Sequence, residues 1–542
     1  MEQYLYVHMR FKGATGCRSS STRLKRFLIR GCSNGKDREK KNATRNIIFG
    51  VILKAYQIVV PFLMRTAMIY FMGVQYLGLN SLFTSILQVL NLAELGAGSA
   101  MIYSMYQPIA SDDKKKICAL MRLYKFYYRA IGCVIAFLGL LLLPFIPHLV
   151  KSDLPDNLNI YVLYLLNLGA TVLTYWLFAY KNAILDAYQR TDITSKIMLV
   201  TSTIQYFLQI LILVFLKNYY VYLIVVLVTQ IANNLITAAI VQYKYPNYVA
   251  MGELEKDEVK QINCRIRDLF TSKLGGVIVN SADTVVISAF LGLTKLAIYQ
   301  NYYFIITSVI GVVGIVFSSC TAGIGNSMVT ETIEKNYKDF KKFTFLVMAI
   351  VNFCTSCFLC LFQPFMEVWV GNELMLSFGM VVLFCIYFID YECMALLSVY
   401  KDACGIWHQD RFRPLCEAGI NLLLNLLLVN IGGLYGILLS TIISMSFVSL
   451  PWLVMNLFNF VFRRSSSEYI SILIQNVIVV IVDMIVCYAI CQMVHLGGIM
   501  TIIFRGAVCV VFSNISYFAI WKNNEDFKDA IKLLNSIFKG KR

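Results

Sequence analysis

The sequence predicts an all-α, polytopic membrane protein of about fourteen transmembrane helices, arranged as two pseudo-twofold-related six-helix lobes plus a C-terminal helix pair. Three observations carry that prediction. Apolar stretches long enough to cross a bilayer recur along the chain, Lys and Arg gather on one side of them, and the second half repeats the first. Of 542 residues, 58% are hydrophobic and only 15% charged, far from the mix of a soluble domain.

The first observation gives the elements. A hydrocarbon core ~30 Å thick needs about 20 apolar residues of helix. The stretches that qualify are 46–71, 79–105, 122–143, 159–180, 197–216, 219–243, 269–292, 298–322, 343–366, 378–400, 415–430, 434–457, 470–494 and 497–521. Residues 1–45 precede them as a basic, polar segment without the apolar core of a signal peptide, expected to be a disordered cytoplasmic tail. Residues 523–542 form a second basic tail.

The second observation gives orientation. The formal net charge of +17 would invite a nucleic-acid reading if it were clustered on a soluble face, but its distribution argues otherwise. Outside the spans and the side that carries the termini, the only basic residues are Lys151, Lys217 and Lys295. Connecting loops are short, which is where the positive-inside rule applies. The basic excess therefore sets topology: both termini are expected in the cytoplasm, and no nucleic-acid partner. None of the 16 cysteines falls in an external loop, which argues against a disulfide framework. "CTSCFLC" spaces Cys354, Cys357 and Cys360 along the ninth span. Three thiols without a fourth ligand read as small packing residues, so no metal and no cofactor is expected.

The third observation gives the architecture. "FMGVQYLGLN" (71–80) aligns with "FLGLTKLAIY" (290–299) at an offset of 219, and "YKNAILDAYQ" (180–189) with "YKDACGIWHQ" (400–409) at 220. A near-constant offset over so long a stretch marks an internal repeat. Each copy holds six spans, so the copies run parallel, and a ligand site is expected between the lobes. This divides the chain into an N-lobe (46–250), a linker helix and C-lobe (251–465), and an unmatched pair of spans (466–522). The charged stretch "ELEKDEVKQINCRIRDLF" reads as the linker helix.

Three segments, "YLGLNSLFTSILQVLNLAELGAGSAMIYSMYQPIA", "DTVVISAFLGLTKLAIYQNYYFI" and "KDACGIWHQDRFRPLCEAGINLLLNLLL", resemble the polysaccharide transporter family of the multidrug/oligosaccharidyl-lipid/polysaccharide superfamily, over about residues 45–520. That resemblance implies a flippase, not an enzyme. It implies alternating access that carries undecaprenyl-pyrophosphate-linked oligosaccharide repeat units from the inner to the outer leaflet of the bacterial cytoplasmic membrane, for capsule, exopolysaccharide or O-antigen synthesis. A polysaccharide polymerase and export machinery are the partners it implies. The alternatives are a peptidoglycan lipid-precursor flippase, or a drug or cation antiporter of the same superfamily.

Intramembrane charges supply the candidate site. Lys54 and Arg65 are eleven residues apart, 1100° of helix, and so share one face of the first span about 16 Å apart in height. Arg grips phosphate oxygens in pairs and Lys acts as a point charge, so both are expected to line a cationic cavity, with Arg129 and Arg505 as further substrate-binding candidates. An acid-lined cavity would be expected of a cation antiporter. Asp283, Glu94 and Asp390 are candidates for coupling to H⁺ or Na⁺, or for gating. The repeat places Asp283 over Met64, next to Arg65, so an Arg65–Asp283 pair across the cleft is expected. "YQNYYF" (299–304) is expected in the outer aromatic belt, with stacking on sugar rings as the alternative.

Overall fold

The computed structural model describes residues 21–94, 96–151, 154–155, 158–494 and 497–538. Those residues are overwhelmingly helical. Twelve helices are long and apolar enough to cross a membrane, and a thirteenth span is the pair Ile160–Trp176 and Ala179–Ala187, bent by 48°. The remaining expected span, 79–105, is present but broken. Helix Val74–Leu90 leads into a 3-10 turn at Asn91–Glu94, and a new helix, Ala97–Ala110, starts after Gly96. Gly96 has a φ of 91°, a region open to glycine at little cost.

Spans are numbered in words from here: one is Ile48–Phe71, two the broken pair just described, three Lys114–Leu149, four the bent pair, five Thr191–Leu216 and six Tyr219–Lys244. Seven is Lys256–Leu291, eight Leu293–Thr330, nine Ile333–Val370, ten Phe378–Cys404, eleven Trp407–Gly432 and twelve Leu434–Phe462. Thirteen and fourteen are Ser467–Gln492 and Ile499–Trp521.

Helix packing repeats as the sequence does. Span one packs on five, five on six, four on six, three on four and two on four; the same pairs recur as seven on eleven, eleven on twelve, ten on twelve, nine on ten and eight on ten. The loop conformation repeats too. Gly73 (φ 113°, ψ 162°) turns span one into two, and Gly292 (φ 90°, ψ 170°) turns seven into eight, in backbone territory held almost only by glycine. Spans thirteen and fourteen pack on nine and on each other.

Three boundaries differ from expectation. Residues 1–20 of the expected disordered tail lie outside the described residues, but from Ser21 onward the tail is already part of the helix that becomes span one. The expected linker helix is not separate: one helix runs from Lys256 through Leu291, because no proline interrupts it and Gly275–Gly276 are tolerated inside a packed span. The C-terminal tail carries a helix, Glu525–Phe538, whose Phe527 and Ala530 are buried against the start of span nine.

Each lobe closes its terminus-bearing end with a buried ionic knot. In the N-lobe, fully buried Asp192 meets Arg190 at 2.8 Å, Lys196 at 3.5 Å and Arg45 at 3.7 Å. In the C-lobe the centre is a cation: Arg413 donates to both oxygens of Asp410 at 2.8 and 3.0 Å and to Glu417 at 3.3 Å. Glu417 also accepts from Ser449, so it belongs to this knot.

Candidate functional site

Between the lobes lies a cavity of about 500 Å³. Its wall is built from spans one, two, seven, eight and ten. Positions related by the repeat face each other across it: Arg65 and Thr284, Ser81 and Gln300, Thr84 and Tyr303, Gln88 and Thr307 each differ by 219 in number and all line the cavity. Asn80, Asn280, Tyr387 and Tyr391 add amide and hydroxyl groups, and among the described residues no carboxylate lines the wall.

Arg65 is the charged residue of that wall. Its guanidinium lies over the Phe304 ring, 4.6 Å from the centroid, and its buried Nη1 has no hydrogen-bond partner among the described residues. Lys54 reaches the same interface lower down the helix. Its side chain ends beside Gly311, close enough that a Cβ there would sit 3.1 Å from Lys54 Nζ. The one-face expectation for these two cations thus matches their placement, both toward span eight.

The expected Arg65–Asp283 pair is not formed. Asp283 is buried within the C-lobe, where Oδ1 accepts from Asn425 at 2.7 Å and Oδ2 from Thr441 at 2.8 Å. Asn421 extends the cluster, donating to Thr441 at 3.0 Å. The repeat already contains the reason: Met64, the counterpart of Asp283, is 5% exposed and faces the interior of its own lobe. The neighbour, Thr284, is the one that faces Arg65's cavity, and it accepts from Gln300 at 3.0 Å.

The lobes touch on both sides of the cavity. On the side away from the termini, Gly78 packs directly on the backbone of Leu293, Lys151 donates to the Phe290 carbonyl at 2.8 Å, and Trp369 stacks on Phe62 and donates to Thr66 at 2.7 Å. On the terminus-bearing side, Gly96 sits against Ile266 and Leu269, Tyr127 donates to Asn263 at 2.6 Å, and Lys116 pairs with Glu258.

Solved structures with this arrangement are known. The lipid II flippase MurJ in an inward closed conformation superposes with a TM-score of 0.64 at 13% identity, over 88% of this chain and 99% of that one. An inward-facing multidrug resistance MATE family transporter of the MOP superfamily gives 0.58 at 14% identity, over 77% and 99%. A MOP superfamily transporter from Pyrococcus furiosus, described as having a binding pocket of reverse polarity, gives 0.50 at 12% identity, over 79% and 97%. The chain shares the fold of these solved MOP superfamily structures. No family sequence model matches the chain, and no curated protein sequence does.

Within this MOP fold several candidates fall outside the cavity. Arg129 is exposed on the outer surface of the N-lobe, one helical step of 100° from Tyr128, which faces inward. Arg505 is buried in the added pair, donating to the Cys360 carbonyl and to Gln492 at 3.3 Å each, so it anchors span fourteen to nine. Glu94 sits in the break of span two and accepts from Tyr128 and from Tyr175 (2.5 Å), inside the N-lobe. Asp390 accepts from Ser446 at 2.5 Å and does not line the cavity, although its neighbour Tyr391 does.

Some cavity-lining positions were not singled out as such by the sequence reading. The stretch "YQNYYF" is no interfacial belt: Tyr299 and Tyr302 are core residues, and Gln300 and Tyr303 line the cavity. The repeat would have found them, because Ser81 and Thr84 are their counterparts on the broken, glycine-flanked span two. Asp483 accepts from Asn352 at 2.6 Å and Ser516 at 2.7 Å and ties spans nine, thirteen and fourteen together.

Proposed function

We propose that this protein is a flippase for lipid-linked oligosaccharides whose head group is a phosphate or pyrophosphate. The observation that carries this reading is the composition of the cavity wall among the described residues: one guanidinium with an unused donor, a ring of amides and hydroxyls, and no carboxylate. A pyrophosphate supplies the missing acceptors, and amides and hydroxyls match a sugar's own donors and acceptors. A cation or drug antiporter would need acids where this cavity has Ser, Thr, Asn and Gln. At about 500 Å³ the cavity shelters a head group and only part of a glycan, in keeping with lobes that touch on both sides.

In this reading the substrate is loaded from the cytoplasmic leaflet when the Gly96 and Tyr127–Asn263 contacts part, and released outward when those at Gly78 and Trp369 part. Lys54, nearer the terminus-bearing side, meets the head group first and Arg65 second. Asp283 with Asn421, Asn425 and Thr441 forms the coupling station, where a proton or Na⁺ would be held by oxygen donors in the C-lobe. A polyprenyl-pyrophosphate repeat unit for capsule or exopolysaccharide is the favoured cargo; lipid II is the second reading, favoured by the superposition on MurJ.

The test is reconstitution in proteoliposomes with defined lipid-linked oligosaccharides, scored by appearance of the glycan in the opposite leaflet. Movement of small organic cations without movement of any lipid-linked glycan would remove the proposal. Gene deletion separates the two cargoes, since loss of viability points to the peptidoglycan precursor and loss of capsule alone to a dispensable glycan.

A further inference from the structure

Four cysteines that are far apart in sequence converge in the interior of the added helix pair. Cys487 and Cys491 lie one turn apart on the same face of span thirteen, Cys509 comes from span fourteen and Cys360 from span nine. All four are buried at 0% exposure, and their sulfurs lie within 4.8 Å of one another. Cys487 is 4.0 Å from Cys360 and 3.8 Å from Cys509, sulfur to sulfur. Expected from sequence as a packing residue, Cys360 therefore has the three partners that its own helix could not supply.

We propose that this cluster is a closed, structural Zn²⁺ site. A tetrahedral ion with Zn–S bonds of about 2.3 Å sets its four sulfurs about 3.8 Å apart, and the observed separations meet or approach that spacing with small side-chain adjustments. A disulfide would bring one pair to about 2 Å and strand the others. An iron–sulfur cubane, with each thiolate on a different iron, holds its cysteine sulfurs further apart than this cluster does. Thiolate softness and tetrahedral geometry together select zinc among abundant divalent ions. With four protein ligands there is no open position, so the ion would act as a clasp and not as a catalyst.

The surroundings address the charge. Binding releases one proton from each thiol and leaves Zn(Cys)₄ with two net negative charges in a low-dielectric interior. Arg505 is one turn before Cys509, is 8% exposed, and donates to the backbone carbonyl of Cys360 itself; its Nε is buried without a partner among the described residues. A cation in that position offsets part of the added charge, and an otherwise awkward buried guanidinium acquires a counter-charge. The clasp would lock spans thirteen and fourteen, which have no counterpart in the repeat, onto span nine of the C-lobe.

The experiment is metal analysis of the full-length protein, purified under reducing conditions without chelator. About one zinc per chain is expected for the wild type and for Cys385→Ser, a buried thiol elsewhere, and under about a tenth for the Cys487→Ser/Cys491→Ser double variant. If the double variant does not fold, cobalt decides: Co²⁺ added to chelated wild-type protein should give thiolate-to-cobalt charge-transfer bands and tetrahedral d–d bands, and Zn²⁺ should displace them. A protein that neither carries metal as purified nor takes up Co²⁺, or in which alkylation and mass analysis find these cysteines in disulfides, overturns the site.

Discussion

Arg65→Gln is the sharpest perturbation of the proposed cavity, because the structure bounds its effect from two sides. The guanidinium stacks on Phe304 at 4.6 Å, and among the described residues its Nη1 has no acceptor. Loss of that stacking costs the fold about 0.5–2 kcal/mol, which leaves a folded protein. A hydrogen bond from a charged donor to a phosphate oxygen contributes about 1.5–3 kcal/mol. At 1.4 kcal/mol per tenfold, the half-saturation concentration for a pyrophosphate-linked substrate should rise roughly 10- to 150-fold. Arg65→Lys keeps the charge but loses the planar stacking and the paired donors, so it should fall between wild type and Arg65→Gln. The assay is the proteoliposome reaction with substrate varied, run beside an uncharged glycolipid of the same glycan. Equal half-saturation in wild type and Arg65→Gln, or the same rise for the uncharged lipid, would refute the phosphate role.

Three further outcomes follow from contacts already given. Asp283→Asn replaces an acceptor by a group that presents its own N–H toward Asn425 or Thr441; transport should lose its dependence on pH or Na⁺ while the protein still folds, and an unchanged ion profile in the proteoliposome assay would exclude the coupling role. Gly78→Ala places a Cβ 2.4 Å from the Leu293 carbonyl oxygen, so the lobes must part by about 1 Å on the side away from the termini. A cysteine at Thr84, with exposed Cys133, Cys264 and Cys416 replaced, should then react faster with an impermeant maleimide from that side. Asp410→Ala leaves Arg413 buried and short of its bidentate partner; breaking such a pair costs about 3–5 kcal/mol, read as a lowered unfolding midpoint in detergent, whereas a midpoint equal to wild type would mean that Glu417 and Ser449 alone hold the guanidinium.

Much of the fold was legible because a bilayer imposes lengths, and the repeat imposes pairing. Lys54 and Arg65 could be placed on one face from helical periodicity alone, and the structure sets both beside span eight. The difficulty lay in direction around each helix. An intramembrane charge announces itself in sequence, yet Arg129 faces outward, Arg505 serves the added pair and Asp283 turns into its own lobe. Depth follows from counting residues; azimuth depends on which neighbours are buried, and only the tertiary structure or a properly read repeat supplies that. The neutral polar residues were missed for the opposite reason. Ser81, Thr84, Gln88 and Gln300 carry no charge to single them out from helix residues that bond their own backbone. The break in span two was hidden as well: "LAELGAGSA" reads as a continuous apolar run, and only the left-handed φ at Gly96 shows the chain changing course.

The repeat also explains how an ion site and a substrate site could belong to one device. Across the cavity the two lobes offer matched polar positions, but the charge is unmatched: Arg65 in one lobe stands where Thr284 stands in the other. A head group bound to Arg65 is therefore held chiefly by the N-lobe, and the C-lobe must follow it by weaker contacts. Asp283 precedes Thr284 in the chain, facing the lobe interior while Thr284 faces the cavity and accepts from Gln300 of span eight. Loading or emptying the Asp283 cluster can only act by favouring one packing of span seven over another, and the first residue to feel that choice on the cavity side is Thr284. The distance between the proposed coupling station and the cavity wall is then a single peptide unit, short enough that no relay through the lobe is needed.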